Sequence, residues 1–139
     1  MKLHSTNYFD TFIEVAEDTK ATYGKQPLTK DTITVAAMQY ALLTNNPYIY
    51  TSDDVLFQVF ANKSNLKKSD YQAARQLFFS KGQACLRASP LTKTYGFGIH
   101  ADSEGKIALY GMETQAYAQF QSDDNIIKIK AMRNARKQL

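Results

Sequence analysis

Residues 94–112 read TYGFGIHADSEGKIALYGM, and no other stretch limits the fold as tightly. Tyr95, Phe97 and Ile99 fall on every second position. In an extended chain that puts three large apolar side chains on one face and Gly96, Gly98 and His100 on the other. ADSEG has turn chemistry and KIALYGM can return as a second strand, so the stretch predicts a β-hairpin. A hairpin is marginal alone and has to bury its apolar face against something else in the chain.

The covering layer is found upstream. DTITVAAMQYALLTNNP predicts a helix with Asp31 as N-cap and Ile33, Ala37, Tyr40 and Ala41 on one face, stopped by Asn45-Asn46-Pro47. YTSDDVLFQVFANK places Thr51 or Ser52 before two acids, which suits a helix N-terminus, with Val55, Leu56, Val59 and Phe60 as the apolar face. SDYQAARQLFFSKG has capping-box spacing at Ser69 and Gln72, a buried side of Tyr71, Ala74, Leu77 and Phe78, and Gly82 at the position that ends helices. Strand patterns flank these helices. YFDTFIEVAED predicts a strand near 9–16, and IIKIK at 126–130 an edge strand with its lysines in water. The segment 19–30 is a polar loop, and Thr114 caps a short helix in TQAYAQFQ. Strand, three helices, hairpin, short helix, strand is the order of an α+β fold: one antiparallel sheet, including the hairpin, packed against about three to four helices.

A chain of 139 residues is expected to form a single domain over 1–139 and to bury a core without disulfides. Nine Tyr and eight Phe supply much of that core. No apolar run reaches the ~20 residues of a membrane span, and no apolar segment follows the N-terminal lysine. With one cysteine, a cytoplasmic location is the expectation. The net charge of +4 is uneven: residues 126–139 carry Lys128, Lys130, Arg133, Arg136 and Lys137 and no acid. Residues 133–139 are expected to be a frayed basic tail. Five charges without interleaved aromatics make a poor case for nucleic acid.

Four phrases together carry a resemblance: NYFDTFIEVAED, NPYIYTSDDVLFQVFA, FFSKGQACLRASPLTKTYGFGIHADSEGKIALY and KAMRNAR. The chain resembles, nearly end to end, a small bacterial family catalogued only as a domain of unknown function. The resemblance implies one intact domain in a bacterial cytosol. It brings no activity, cofactor or catalytic residue.

The residues themselves direct attention to 85–100, CLRASPLTKTYGFGIH. Glycines at 96 and 98 would leave a shallow trough beside His100, with Arg87, Ser89, Thr92 and Lys93 just upstream. A guanidinium, an ammonium and hydroxyls at the rim of a trough suit a phosphate or carboxylate. Arg87, Ser89, Lys93 and His100 are therefore ligand-binding candidates, for a small anionic ligand or a protein partner. Pro90 is expected to hold the segment extended with a turn around 89–92. The competing enzyme reading pairs Cys85 as nucleophile with His100 as base, oriented by Asp102 or Glu104. A free cysteine between Ala84 and Leu86 is more often a buried structural thiol. A third reading uses the basic end for nucleic acid, and a homo-oligomer remains open. His4 could meet His100 only if the first strand neighbours the hairpin; no local metal-ligand spacing exists, so no metal is expected. YGFGIH lacks the third glycine and the helix of a dinucleotide turn, so no cofactor is expected.

Overall fold

The computed structural model describes residues 3–29 and 33–135. Strand β1 (Thr11–Glu14) starts later than its pattern suggests, because Asp10 turns the backbone into the left-handed region at φ 48°. Strands β2 (Phe97–Ala101) and β3 (Ile107–Gly111) form the hairpin, with Phe97 opposite Gly111 and Ala101 opposite Ile107. Its turn is built by Asp102, whose Oδ1 accepts from the amides of Glu104 and Lys106, and by Gly105 at φ 81°. Strand β4 (Ile127–Lys130) completes a sheet of order β3-β2-β1-β4.

The sheet is mostly antiparallel, with one correction to the expectation: β4 runs parallel to β1, Thr11 facing Ile127 and Glu14 facing Lys130. The connection explains the direction. Between β3 and β4 the chain passes through helix α5 (Gln115–Ser122), and a strand–helix–strand crossover brings the chain back in the direction it left. Both faces of the sheet are thereby covered, which is why Thr11, Phe12 and Ile13 are all buried.

On one face lie α1 (Val35–Asn45), α2 (Ser52–Lys63) and the single turn α4 (Pro90–Lys93), around a core that includes Ile13, Leu43, Val55, Leu86, Leu91 and Ile99. Helix α1 is capped by Thr34, whose side chain accepts from the Ala37 amide at 3.2 Å. Asp31, the cap expected from sequence, lies outside the described residues. The buried stripe of α1 is Ala36, Ala37, Gln39 and Leu43, while Ile33 and Ala41 face water. Gln39 is tolerated inside because it accepts the Ser89 hydroxyl proton at 2.5 Å. Helix α2 begins with a full capping box between Thr51 and Asp54. It buries two stripes: Val55 faces the main core, and Phe57 and Ala61 face α3 (Tyr71–Phe79) in a second, smaller cluster.

Helix α3 departs from its expected ends. The turn Lys68–Asp70 leads into it, no side chain caps it, and it stops at Phe79, so neither the Ser69–Gln72 box nor a Gly82 stop forms. The loop at 19–29 is bonded to the body: the Gly24 amide donates to Glu113 Oε1 and the Lys25 amide to the Tyr95 carbonyl. Among the described residues no helix is long and apolar enough to cross a membrane.

Candidate functional site

The residues singled out between 85 and 100 are brought together less than their spacing suggests. In place of an extended segment, Leu86–Ala88 form a 3-10 turn and Pro90 opens α4. Proline at the first helical position gives up only an amide that had no partner to lose. Ser89 caps that turn, its oxygen accepting from the Leu91 amide at 3.1 Å, and is buried. Thr92 is also buried, its hydroxyl donating to the Leu86 carbonyl at 2.8 Å. Arg87 acts on backbone: its Nε donates to the Lys130 carbonyl at 2.7 Å, and its own carbonyl accepts from the Met132 amide at 2.8 Å. One residue thus closes the outer rim of β4 where it ends. Lys93 stays partly exposed, and its carbonyl accepts from Asn134 Nδ2.

The trough expected beside Gly96 and Gly98 is filled. A Cβ on Gly98 would lie 2.5 Å from Phe12 Cζ and 2.7 Å from Tyr117 Cε2, so α5 closes directly over that face. Gly96, at φ 84°, packs against the Tyr23 carbonyl. His100 is stacked on Phe120, ring centroids 4.2 Å apart, and its Nδ1 meets the Tyr48 hydroxyl at 2.8 Å. That hydroxyl also meets Tyr110 at 2.7 Å. Burial lowers the His100 pKa against the pull of Asp102, Asp10 and Asp123. Burial and the Tyr110 hydroxyl push the Tyr48 phenol up.

Cys85 belongs to a different neighbourhood. Its sulfur sits 3.4 Å from the Tyr8 hydroxyl, at the margin of the core under α1 and α2, whereas His100 lies on the α5 side of the sheet. Burial and the Cys85 thiol raise the Tyr8 pKa, and the Arg87 guanidinium opposes them. A Cys85–His100 nucleophile–base pair therefore does not assemble. His4 does not approach His100 either: its amide donates to the Phe79 carbonyl at the end of α3. Residues 133–135 of the expected frayed tail are tied to the body. Asp18 accepts from the Asn134 and Ala135 amides at 2.9 and 3.0 Å, and these bonds hold its carboxyl below the usual range. Residues 136–139 lie outside the described part.

One hollow, about 380 Å³, lies between Lys20, Tyr23, Lys25, Thr94 and Tyr95, and three others lie around α3. Two clefts, of about 470 and 420 Å³, share Gln72 and Arg75. Arg75 is held by one carboxylate and two aromatic rings. Its Nη2 lies 2.9 Å from Asp54 Oδ1, and its Cζ stands 5.8 and 5.5 Å from the rings of Phe57 and Phe79. Burial works to raise the Asp54 carboxyl, but the Thr51 amide and Arg75 outweigh it and keep it low. The neighbouring Asp53 is buried and accepts from Ser5 Oγ, the Thr6 amide and Thr6 Oγ1 at 2.7–2.8 Å, pinning the N-terminal segment to α2.

A third hollow, about 570 Å³, lies on the other side of α3, between Phe60, Leu66, Ala74, Leu77, Phe78 and Lys81. It is predominantly apolar, and Gln83, bonded to the Phe78 carbonyl, borders it. Helix α3 separates its apolar and polar residues most sharply among the longer helices, yet only Phe79 is buried. Leu77, expected inside, is 68% exposed, and Phe60 opposite it on α2 is 39% exposed. Of the side expected to be buried, Tyr71, Ala74 and Phe78 do pack, half-buried, against the Phe57, Ala61 and Phe79 cluster, and Leu77 alone is left uncovered.

Fold and surface together define a small α+β domain: a four-stranded sheet covered on both sides, from which a helical lobe of α2 and α3 presents an open apolar groove. The chain belongs to DUF6157, a family of unknown function, whose match spans residues 3–137. No curated protein matches the chain, and no solved structure does.

Proposed function

We propose that this protein is a binding module that docks another protein through the groove between α2 and α3. The observation that carries the reading is the outer part of α3: Tyr71, Ala74 and Phe78 pack half-buried on the Phe57, Ala61 and Phe79 cluster, and Leu77, 68% exposed, carries that apolar side on into an open hollow beside Phe60. Scattered exposed apolar residues are ordinary, but a contiguous groove with Leu77 and Phe60 on its walls is the kind of surface that partners cover. The groove volume falls in the range of binding pockets. The alternative of a small anion at Arg87, Ser89, Lys93 and His100 has lost the trough it needed, and the enzyme alternative has lost its Cys85–His100 pair.

A peptide-display selection tests the docking reading, with the wild-type chain as target and Leu77→Asp as counter-target. Position 77 is exposed, so the charge leaves the fold intact, which circular dichroism checks. The expected result is a set of peptides held by the wild type and released by the variant. A selection that returns nothing able to tell the two proteins apart would sink the reading.

A further inference from the structure

We infer that the occupant of the α2–α3 groove is an amphipathic helix with acidic residues flanking its apolar stripe; this rests on the docking reading above. The first argument is the shape of the walls. Phe60 of α2 and Ala74, Leu77 and Phe78 of α3 form most of them, with Leu66, Lys81 and Gln83 from the adjoining loops, and no strand among the described residues borders the groove, so it offers no sheet edge for an added strand. What it can accept is side chains, and a helix delivers those at i, i+3, i+4 and i+7 along one ridge.

The second argument is charge. Lys81 lines the groove itself. Lys63 ends α2 one turn beyond Phe60, and Lys67 and Lys68 follow Leu66 directly. All four lysines are exposed. Between 60 and 83 the only other charges are Arg75, which Asp54 engages from the far side of α3, and Asp70 at the start of that helix. The groove therefore has an apolar floor with Lys81 on its rim and Lys63, Lys67 and Lys68 exposed and close in the chain to residues that line it, and this charge selects acids beside the apolar anchors. The same rim argues against a second copy of this chain. A two-fold contact through the groove would bring two copies of the same lysine-bearing surface into one interface with no acid in the groove lining to pair them, which disfavours it. An anionic lipid surface shares the charge sign but not the ridge that a concave groove needs.

The peptides recovered by the selection are resynthesised in two forms, one with glutamates and one with lysines beside the same apolar stripe, and titrated by fluorescence anisotropy into the full chain. The expected result is that the glutamate form binds about tenfold or more tightly than the lysine form. The advantage shrinks as salt rises, and Lys67→Glu/Lys68→Glu/Lys81→Glu reverses the order. Leu77→Asp should weaken both forms by about tenfold or more. Equal binding of the two forms, or an order unmoved by the triple substitution, would overturn the acidic helix while leaving docking itself standing. So would a bound peptide that gains no helical circular dichroism. Binding to phosphatidylserine vesicles that the glutamate peptide cannot displace would replace it with a membrane surface. Leu77-dependent dimerisation in sedimentation would replace it with a second copy. An empty selection defeats both this inference and the reading beneath it.

Discussion

Replacing Gly98 with alanine tests whether the glycine face of β2 is sealed. The new Cβ would sit 2.5 Å from Phe12 Cζ, 2.7 Å from Tyr117 Cε2 and 3.0 Å from the Ile13 carbonyl. None of these is the loose end of a flexible chain: Phe12 and Tyr117 are both buried, and their rings meet edge to face at 4.9 Å. Overpacking of this kind costs about 1–3 kcal/mol. Alanine recovers about 0.5–1 kcal/mol because glycine is a poor strand residue. The expected net loss is about 1–2 kcal/mol. With a urea m-value of about 2 kcal/mol/M, the unfolding midpoint falls by about 0.5–1 M. Gly82→Ala is the control, since the nearest atom to its new Cβ is His4 Nδ1 at 4.0 Å, and it should be neutral or slightly stabilising. In a Tyr117→Leu background the Gly98→Ala loss should shrink, because one of the clashing rings is gone. A Gly98→Ala midpoint equal to or above wild type would refute the reasoning, and the open trough would return as a candidate site.

Other outcomes follow from the same geometry. His100 has a folded pKa below its unfolded value near 6.5, so the unfolded chain binds more protons between the two. Its contribution to stability is complete above about pH 6.5 and is lost as pH falls toward the folded pKa. Urea midpoints across about pH 5–8 should show this slope in the wild type and less of it in His100→Gln; equal slopes would count against the buried site. Asp53→Ala removes the acceptor of three bonds from Ser5 and Thr6 and should cost about 1–3 kcal/mol in urea unfolding, whereas a neutral result would mean the N-terminal segment is not anchored there. Cutting the chain after Met132 removes the Asn134 and Ala135 bonds to Asp18 and should lower the melting temperature by a few degrees; an unchanged value would restore the frayed tail. Cys85, half-buried against Tyr8, should label with a thiol reagent more slowly than a free small thiol, and Tyr8→Phe should speed the labelling.

The parts of this fold that were legible in the sequence are those fixed by neighbours along the chain. The Phe97–Ile99 part of the alternation, the Thr51 cap and the strand character of Phe12–Ile13 each depend on a few adjacent residues, and each is present, whereas Tyr95 falls before the strand because Gly96 turns the backbone at φ 84°. What sequence misread depends on distant partners. The parallel seat of β4 beside β1 follows from where a crossover lands, and no residue of IIKIK encodes it. Alternating glycines announce a close approach, but whether the visitor is a ligand or Phe12 and Tyr117 is decided elsewhere in the chain. Arg87 reads as an anion ligand from its neighbours, yet its guanidinium serves a carbonyl at Lys130. Helix α3 is the converse case, since a periodic pattern states which face is apolar and says nothing of what covers it.

The seat of β1 between β2 and β4 has a consequence for how the protein is made. Its residues are near the start of the chain, and both strands that flank it come from beyond residue 96. At a synthesis rate of about 5–20 residues per second, Phe12 and Ile13 wait on the order of 5–20 s before both partners exist. During that interval α1, α2 and α3 can form locally, but the central strand has nothing to pair with. Closing so long a loop is slow, so sheet completion, rather than helix formation, should set the folding rate. The interval is also when an apolar, unpaired strand is most open to capture by another nascent chain. A cell that makes this protein quickly has reason to keep that strand covered until the last one arrives.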